Sequence, residues 1–350
     1  MILLSIYYFL SKLPYHNIVN IRLVNKTILL SKEGYDPFID YLKGVSILFV
    51  ILAHCLPLQE YILFSLWGAQ AVPLFLLVQV FHSYKKGVGY ISVSYDLKKL
   101  FHRIFKPFLL LVVIQLLLLI FIQQKNPIVT IKNAILSGGI GPGSYYVWIY
   151  VQFFFLLPIV GIVNQRIRGG YLLLMFTILC IALEMLCTYI HIPAGLYRLL
   201  AIRYVYLICL GYIWTISGIE INKRTILLSF ISILFILMFT YTSINLEPLF
   251  FNNDWKICHW VCYFYVAYLF VYLLHKIYQW SSRYLNSLFC LIGKCSYEIF
   301  LLQMFVFTFF PSAADMAFIG NSYVVVLIRI VLTTSLSVFP VLFYNCYLKK

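Results

Sequence analysis

The sequence predicts an all-α fold, a polytopic transmembrane bundle of about ten helices with both termini on the cytoplasmic side, and three observations predict it. The first is composition. Of 350 residues, 63% are hydrophobic and 11% charged, whereas a soluble domain is about half apolar and about a quarter charged. A water-soluble fold has nowhere to hide that much apolar surface. The second is run length. The apolar stretches are continuous over about 18 to 24 residues, which is what a helix needs to cross about 30 Å of hydrocarbon. A membrane β-barrel would instead alternate over segments of about ten residues. The third is where the charges fall, at the ends of the apolar runs.

Taken in order, the runs place spans near 39–57, 61–82, 104–123, 145–163, 171–190, 199–217, 225–243, 257–275, 288–310 and 322–346. Orientation follows from Lys and Arg, which concentrate in cytoplasmic loops. Nineteen of the 26 basic residues sit in alternate loops counted from the N-terminus, among them Lys43, Lys98, Lys99, Arg103, Arg166, Arg168, Lys349 and Lys350. The opposite loops hold only Lys125, Lys132, Arg198, Arg203 and Lys256, and Lys294 and Arg329 fall inside spans. Both termini are therefore expected inside, in a cytoplasmic membrane, which requires an even number of crossings.

The net charge of +15 is no nucleic-acid signal, because the basic residues flank apolar runs instead of forming one patch. The nine cysteines, Cys55, Cys180, Cys187, Cys209, Cys258, Cys262, Cys290, Cys295 and Cys346, form no CxxC pair and fall mostly within apolar runs. They read as buried reduced thiols. No histidine spacing suggests a metal site. Residues 1–35 do not fit the span pattern, and Met1 to Leu10 is too short to cross and lacks the basic leader of a signal peptide. They are set apart from a membrane domain over 36–348. No loop is long enough for a separate domain. The stretch Ser137-Gly138-Gly139-Ile140-Gly141-Pro142-Gly143-Ser144 reads either as backbone that approaches a ligand or as a simple connector.

Polar groups inside a membrane are costly, so each is a functional candidate. On the first span Lys43 and His54 are eleven residues apart. At about 100° and 1.5 Å per residue they share a helix face, roughly 16 Å apart along the axis. A cation at one end and an imidazole at the other suit a long donor whose anionic part meets Lys43 while its reactive group reaches His54. Two plainer readings stand beside this one: Lys43 as an interfacial anchor, and His54 as a hydrogen-bonding group between helices. Glu298 follows Lys294 by four residues, the spacing of a neutralising ion pair. Glu184 has no evident partner. Trp148 and Gln152, one turn apart, are candidates to line the acceptor side, and Ser296 and Gln303 to hydrogen-bond across helices or to substrate.

From Asp40-Tyr41-Leu42-Lys43-Gly44 through Val50 to His54, the first span resembles the opening motif of the acyltransferase type 3 family, in which an Arg, ten residues and a His recur. Lys43 stands here in place of the Arg, keeping the charge without the planar fork. Val72-Pro73-Leu74-Phe75 is similar to the family's second span, with Gln79-Val80 where a Ser-Gly pair is usual. Lys98 through Pro107 resembles the basic lead-in to the third, and Tyr145-Tyr146-Val147-Trp148 with Leu157-Pro158 the fourth. Arg203-Tyr204 before Gly211-Tyr212 resembles the sixth, and Ile292 through Leu301 the ninth, with Gln303 where a His is frequent.

The resemblance implies a membrane O-acyltransferase that moves an acyl group, usually acetyl, from acyl-CoA to a hydroxyl of a carbohydrate or envelope polymer. It implies His54 as general base and makes Lys43, Lys98, Lys99 and Arg103 candidates for the CoA phosphates. For Lys98 and Lys99 the competing reading is the positive-inside bias alone. No permanently bound cofactor or metal is implied; acetyl-CoA or another acyl-CoA is a substrate, and the partners are the glycan acceptor and the bilayer. The alternative reading is an exporter or polymerase of lipid-linked glycans without acyl chemistry. Against it stand the absence of a large outer loop and of internal repeats.

Overall fold

The structure is a computed structural model that describes residues 35–56, 63–85, 93–164, 169–219, 221–242, 256–309 and 322–345, with Leu246, Leu249 and Phe250. Segment 1–34, Lys86, Arg166, Arg168, Cys346, Lys349 and Lys350, on which some of the expectations above rest, lie outside the described residues. In chain order the helices are α1 (Pro37–Cys55), α2 (Phe64–Lys85), α3 (Leu97–Phe121), α4 (Pro127–Leu136), α5 (Tyr145–Asn164), α6 (Gly169–Tyr189) and α7 (Ala194–Leu199). They continue as α8 (Val205–Ser217), α9 (Lys223–Tyr241), α10 (Trp260–Trp280), α11 (Arg283–Lys294), α12 (Ser296–Phe309) and α13 (Ser322–Phe343). Local chemistry sets several boundaries. Pro37 and Pro127 open α1 and α4 at a position where no amide hydrogen is needed. Asn126 caps α4, Asn222 forms a capping box with Thr225 at α9, and Ser282 caps α11.

Among the described residues eight helices are long and apolar enough to cross a membrane, and α11 with α12 form a bent apolar pair, the shape of a broken span or of a re-entrant loop. The expected span over 199–217 is a shorter apolar helix, Ile202–Ser217, made of a 3-10 turn and α8. The chain is thus an all-α, multi-pass membrane bundle. The expected continuous span over 288–310 is instead two helices bent by 72° at Cys295. That break removes the single helix face on which Lys294 and Glu298 were expected to pair; both are exposed.

The chain divides into two compact units, each interleaved in sequence. In one unit, Pro73–Asp96 and Ile149–Leu274, the close helix approach is at Gly211. A β-carbon there would stand 2.5 Å from the Val80 side chain. Helix α10 begins with a 3-10 turn and a π turn, which displace backbone carbonyls from the regular ladder. Side chains of α9 serve two carbonyls of that irregular start: Ser232 donates to Val261 (2.6 Å) and Ser229 to Phe264 (3.2 Å). Aromatic side chains fill the space between, with Tyr206 against Trp260 and Phe264, and Phe81 against Trp214.

In the other unit, Pro37–Val72, Leu97–Trp148 and His275–Lys350, α1 crosses α11 with two glycines at the contact. A β-carbon on Gly44 would lie 2.1 Å from the Phe289 carbonyl oxygen, and one on Gly293 would lie 1.8 Å from that of Asp40. Small residues that let backbones touch are how membrane helices gain packing energy without a hydrophobic effect between them. The Cys290 thiol lies 3.2 Å from the Pro37 carbonyl, and Phe38 and Tyr41 pack on Tyr278 beside the same crossing. The glycine stretch after α4 is not a free connector. Gly138, Gly139, Gly143 and Ser144 are buried, and Gly141, at φ +89°, rests on the Met304 carbonyl of α12.

Replacing Gly293 with Val puts carbon into backbone that cannot yield, with an expected cost of about 3 kcal/mol or more. In detergent its thermal midpoint should fall well below that of the parent protein. Gly195→Ala, where a β-carbon meets nothing within 4 Å, should leave the midpoint unchanged or slightly raised.

Candidate functional site

Helix α1 is unbroken from Pro37 to Cys55, so Lys43 and His54 keep the axial separation of roughly 16 Å that eleven helical residues give. Most of α1 is buried against protein; Lys43 and His54 are half-buried. The Lys43 ammonium is held by the Asp40 carboxylate at 3.0 Å. Asp40 belongs to the motif, and the resemblance implies no role for it. Its three-residue spacing from Lys43 is the signal that finds the pair. At the far end of the helix, the His54 imidazole packs edge-on against Phe307 of α12, with ring centroids 5.4 Å apart.

Helix α12 brings further candidates to this unit. Gln303 precedes Phe307 by four residues and so lies on the same face, one turn nearer the α12 start. It is fully buried, and its amide has no hydrogen-bond partner among the described residues. Beside it, Gln115 of α3 donates to the Thr308 hydroxyl (3.0 Å) and the Met304 carbonyl (3.3 Å). Ser296 opens α12 directly after the bend.

Lys98, Lys99 and Arg103 are exposed at the start of α3. Arg103 lies in a π turn, Phe101–Phe105, and the Tyr297 hydroxyl donates to Ile104 of that turn at 2.5 Å. The basic end of α3 is thereby fixed to the start of α12. Trp148 belongs to the same unit. Its indole N–H donates to the Gly138 carbonyl at 2.6 Å and its ring packs edge-on against Phe105.

Gln152 belongs to the other unit. It donates to the Leu199 carbonyl (2.6 Å) and accepts from the Ala201 amide (3.0 Å), which ties down the chain between α7 and α8. One-turn spacing on α5 put Trp148 and Gln152 on one face, and each spends polar atoms on a backbone partner. The other residues named from the sequence for catalysis or for donor and acceptor contacts, Lys43, His54, Lys98, Lys99, Arg103, Trp148, Ser296 and Gln303, fall in a single unit; Glu184 does not.

The unit that holds Gln152 has a buried polar cluster of its own. Tyr197 of α7 donates to the Glu184 carboxylate at 2.6 Å, and the His259 ring nitrogen lies 3.7 Å from the same oxygen. The Tyr263 hydroxyl donates toward the carbonyls of Arg203 (3.0 Å) and Cys258, and the Arg203 guanidinium stacks 4.8 Å above Tyr204. Burial, reinforced by Glu184, pushes the Tyr197 phenol up, so it stays a donor. Burial also pushes the Cys258 thiol up to about 11, against the pull of Arg203. All eight described cysteines are buried, and no disulfide joins them.

Together these features define a class: a multi-pass membrane protein in which one unit gathers a titratable imidazole and a run of cations. A family model described as an acyltransferase domain matches residues 36–343, and the chain belongs to that family, the acyltransferase type 3 family named by its motifs. It is a membrane enzyme that transfers acyl groups. No curated protein and no solved structure matches it.

Tyr197→Phe removes the donor from a buried carboxylate oxygen and is expected to destabilise the protein by about 1–3 kcal/mol. Thermal unfolding in detergent measures this loss.

Proposed function

We propose that the protein transfers an acyl group, acetyl in the simplest case, from acyl-CoA to a hydroxyl of a carbohydrate or envelope polymer, with His54 as general base. The observation that carries the reading is the placement of Lys43 and His54 eleven residues apart on one continuous, largely buried helix. A separation of roughly 16 Å fits an elongated donor, with phosphates near Lys43 and thioester near His54. The acceptor hydroxyl gives its proton to the imidazole as its oxygen bonds the thioester carbon. The C–S bond then breaks, and the departing thiolate takes the proton back. Imidazole suits both transfers because its ordinary pKa lies near neutrality.

The Asp40–Lys43 pair adds a condition. A CoA phosphate that binds Lys43 competes with the Asp40 carboxylate. Arg103, Lys98 and Lys99, exposed and tied to α12 through the Tyr297 contact, supply further cations for the rest of the nucleotide. Gln303, buried with an unengaged amide one turn from Phe307, suits a polar contact to the donor arm or acceptor, and Ser296 and Trp148 are further candidate contacts in the same unit. Positive charge concentrated in alternate loops supports an orientation with both termini in the cytoplasm and the protein in the cytoplasmic membrane, where acyl-CoA is available.

His54→Ala should remove transfer of labelled acetyl from acetyl-CoA to envelope glycan while the protein still accumulates in membranes, a loss of at least about 100-fold. Full activity in that variant refutes the mechanism. Lys43→Ala should raise the KM for acetyl-CoA more than it lowers kcat, and Lys43→Arg, which restores a bidentate cation, should keep the parent KM or lower it.

A further inference from the structure

Helix α13 carries Arg329 within its membrane-crossing stretch, Val324–Phe343. Its guanidinium lies over the Phe307 ring, 5.7 Å from the centroid, and Phe307 is the ring against which His54 packs. One aromatic side chain therefore seats both the imidazole and a permanent cation. A second contact fixes the same register. The Thr333 side chain, one turn beyond Arg329, comes within hydrogen-bonding reach of the thiol of Cys55, the neighbour of His54. Ser337, a further turn along, is fully buried with no hydrogen-bond partner among the described residues. Residues 329, 333 and 337 thus form a stripe on one face of α13, beginning at the His54 end of α1.

A cation inside a crossing helix is costly unless something negative meets it. Among the described residues no carboxylate lies within ion-pair distance of Arg329. Phe307 offers only the weak attraction of a ring face.

We propose that Arg329 is a further catalytic residue of the transfer, holding the thioester carbonyl oxygen as it gains negative charge. The proposal rests on the acyl-transfer reading. As the acceptor oxygen bonds the carbonyl carbon and its proton passes to His54, the carbonyl π pair moves onto oxygen. That alkoxide faces the guanidinium. The pair returns to re-form the carbonyl as the C–S bond breaks, and the CoA thiolate leaves with the proton from His54. A fixed cation aimed at charge that develops only in the transition state lowers the barrier without tightening ground-state binding.

The test measures Arg329→Gln, Arg329→Lys and His54→Ala in the full-length protein, with labelled acetyl-CoA as donor and the host envelope fraction as acceptor. Arg329→Gln should lower kcat on the order of 100-fold at an unchanged KM for acetyl-CoA and an unchanged thermal midpoint. Arg329→Lys, which keeps charge but not the fork, should show a smaller fall in kcat, again at unchanged KM. If the Gln variant does not accumulate, the Lys variant decides, and a parental kcat there overturns the proposal. A parental kcat in Arg329→Gln also overturns it. So does a rise in KM alone, which would assign Arg329 to a standing negative charge on a substrate. If His54→Ala itself retains transfer, the acyl-transfer reading fails; if His54→Ala is inactive and Arg329→Gln is fully active, only the role of Arg329 fails.

Discussion

The contact on which the His54-bearing unit depends is the crossing of α1 and α11 at Gly44 and Gly293. Lipid tails are as apolar as the side chains they touch, so helices in a bilayer gain little from hiding apolar surface from each other. Close backbone approach supplies the attraction instead, and hydrogen on both α-carbons makes it possible here. The consequence reaches the chemistry directly. Lys43 is the immediate neighbour of Gly44, and Asp40, its ion-pair partner, offers the very carbonyl that Gly293 meets. The charged end of the candidate site is thus placed by backbone contact, with no long side chain setting its position.

Much of this was legible in the sequence because it depends on short-range periodicity. Continuous apolar runs located the crossings, and helical spacing placed Lys43 and His54 on one face of α1. The ordered motifs carried the family resemblance. What escaped was whatever depends on contact between distant segments. Glu184 had no visible partner because Tyr197 and His259 reach it through tertiary packing. Arg329 was merely a charge inside a span until Phe307 connected it to His54. Gln152 shares a helix face with Trp148, yet its neighbours are backbone groups of the α7–α8 connection.

The bend at Cys295 shows a different kind of failure. Spacing rules assume a straight helix, and the pairing of Lys294 with Glu298 followed from that assumption. The sequence holds no proline there to announce a break. Gly293 is needed for close approach and is a weak helix former, and Ser296 favours helix starts over interiors. Those two preferences, one just before and one just after Cys295, are consistent with ending one helix and beginning another.

The crossing helices also differ in how much of them protein covers: 67% of the apolar stretch of α1 is buried, but only 17% of that of α3. Helix α3 is also the longest, at 25 residues, or roughly 37 Å of helix against about 30 Å of hydrocarbon. Such an excess is accommodated by tilt, by local bilayer thickening or by emergence of one end. The end with Lys98, Lys99 and Arg103 is the polar one, and the π turn lies just where that end would leave the acyl chains. Membrane thickness thereby becomes a variable in the height at which those cations stand, so the lipid around α3 is a setting of the protein as much as its surroundings.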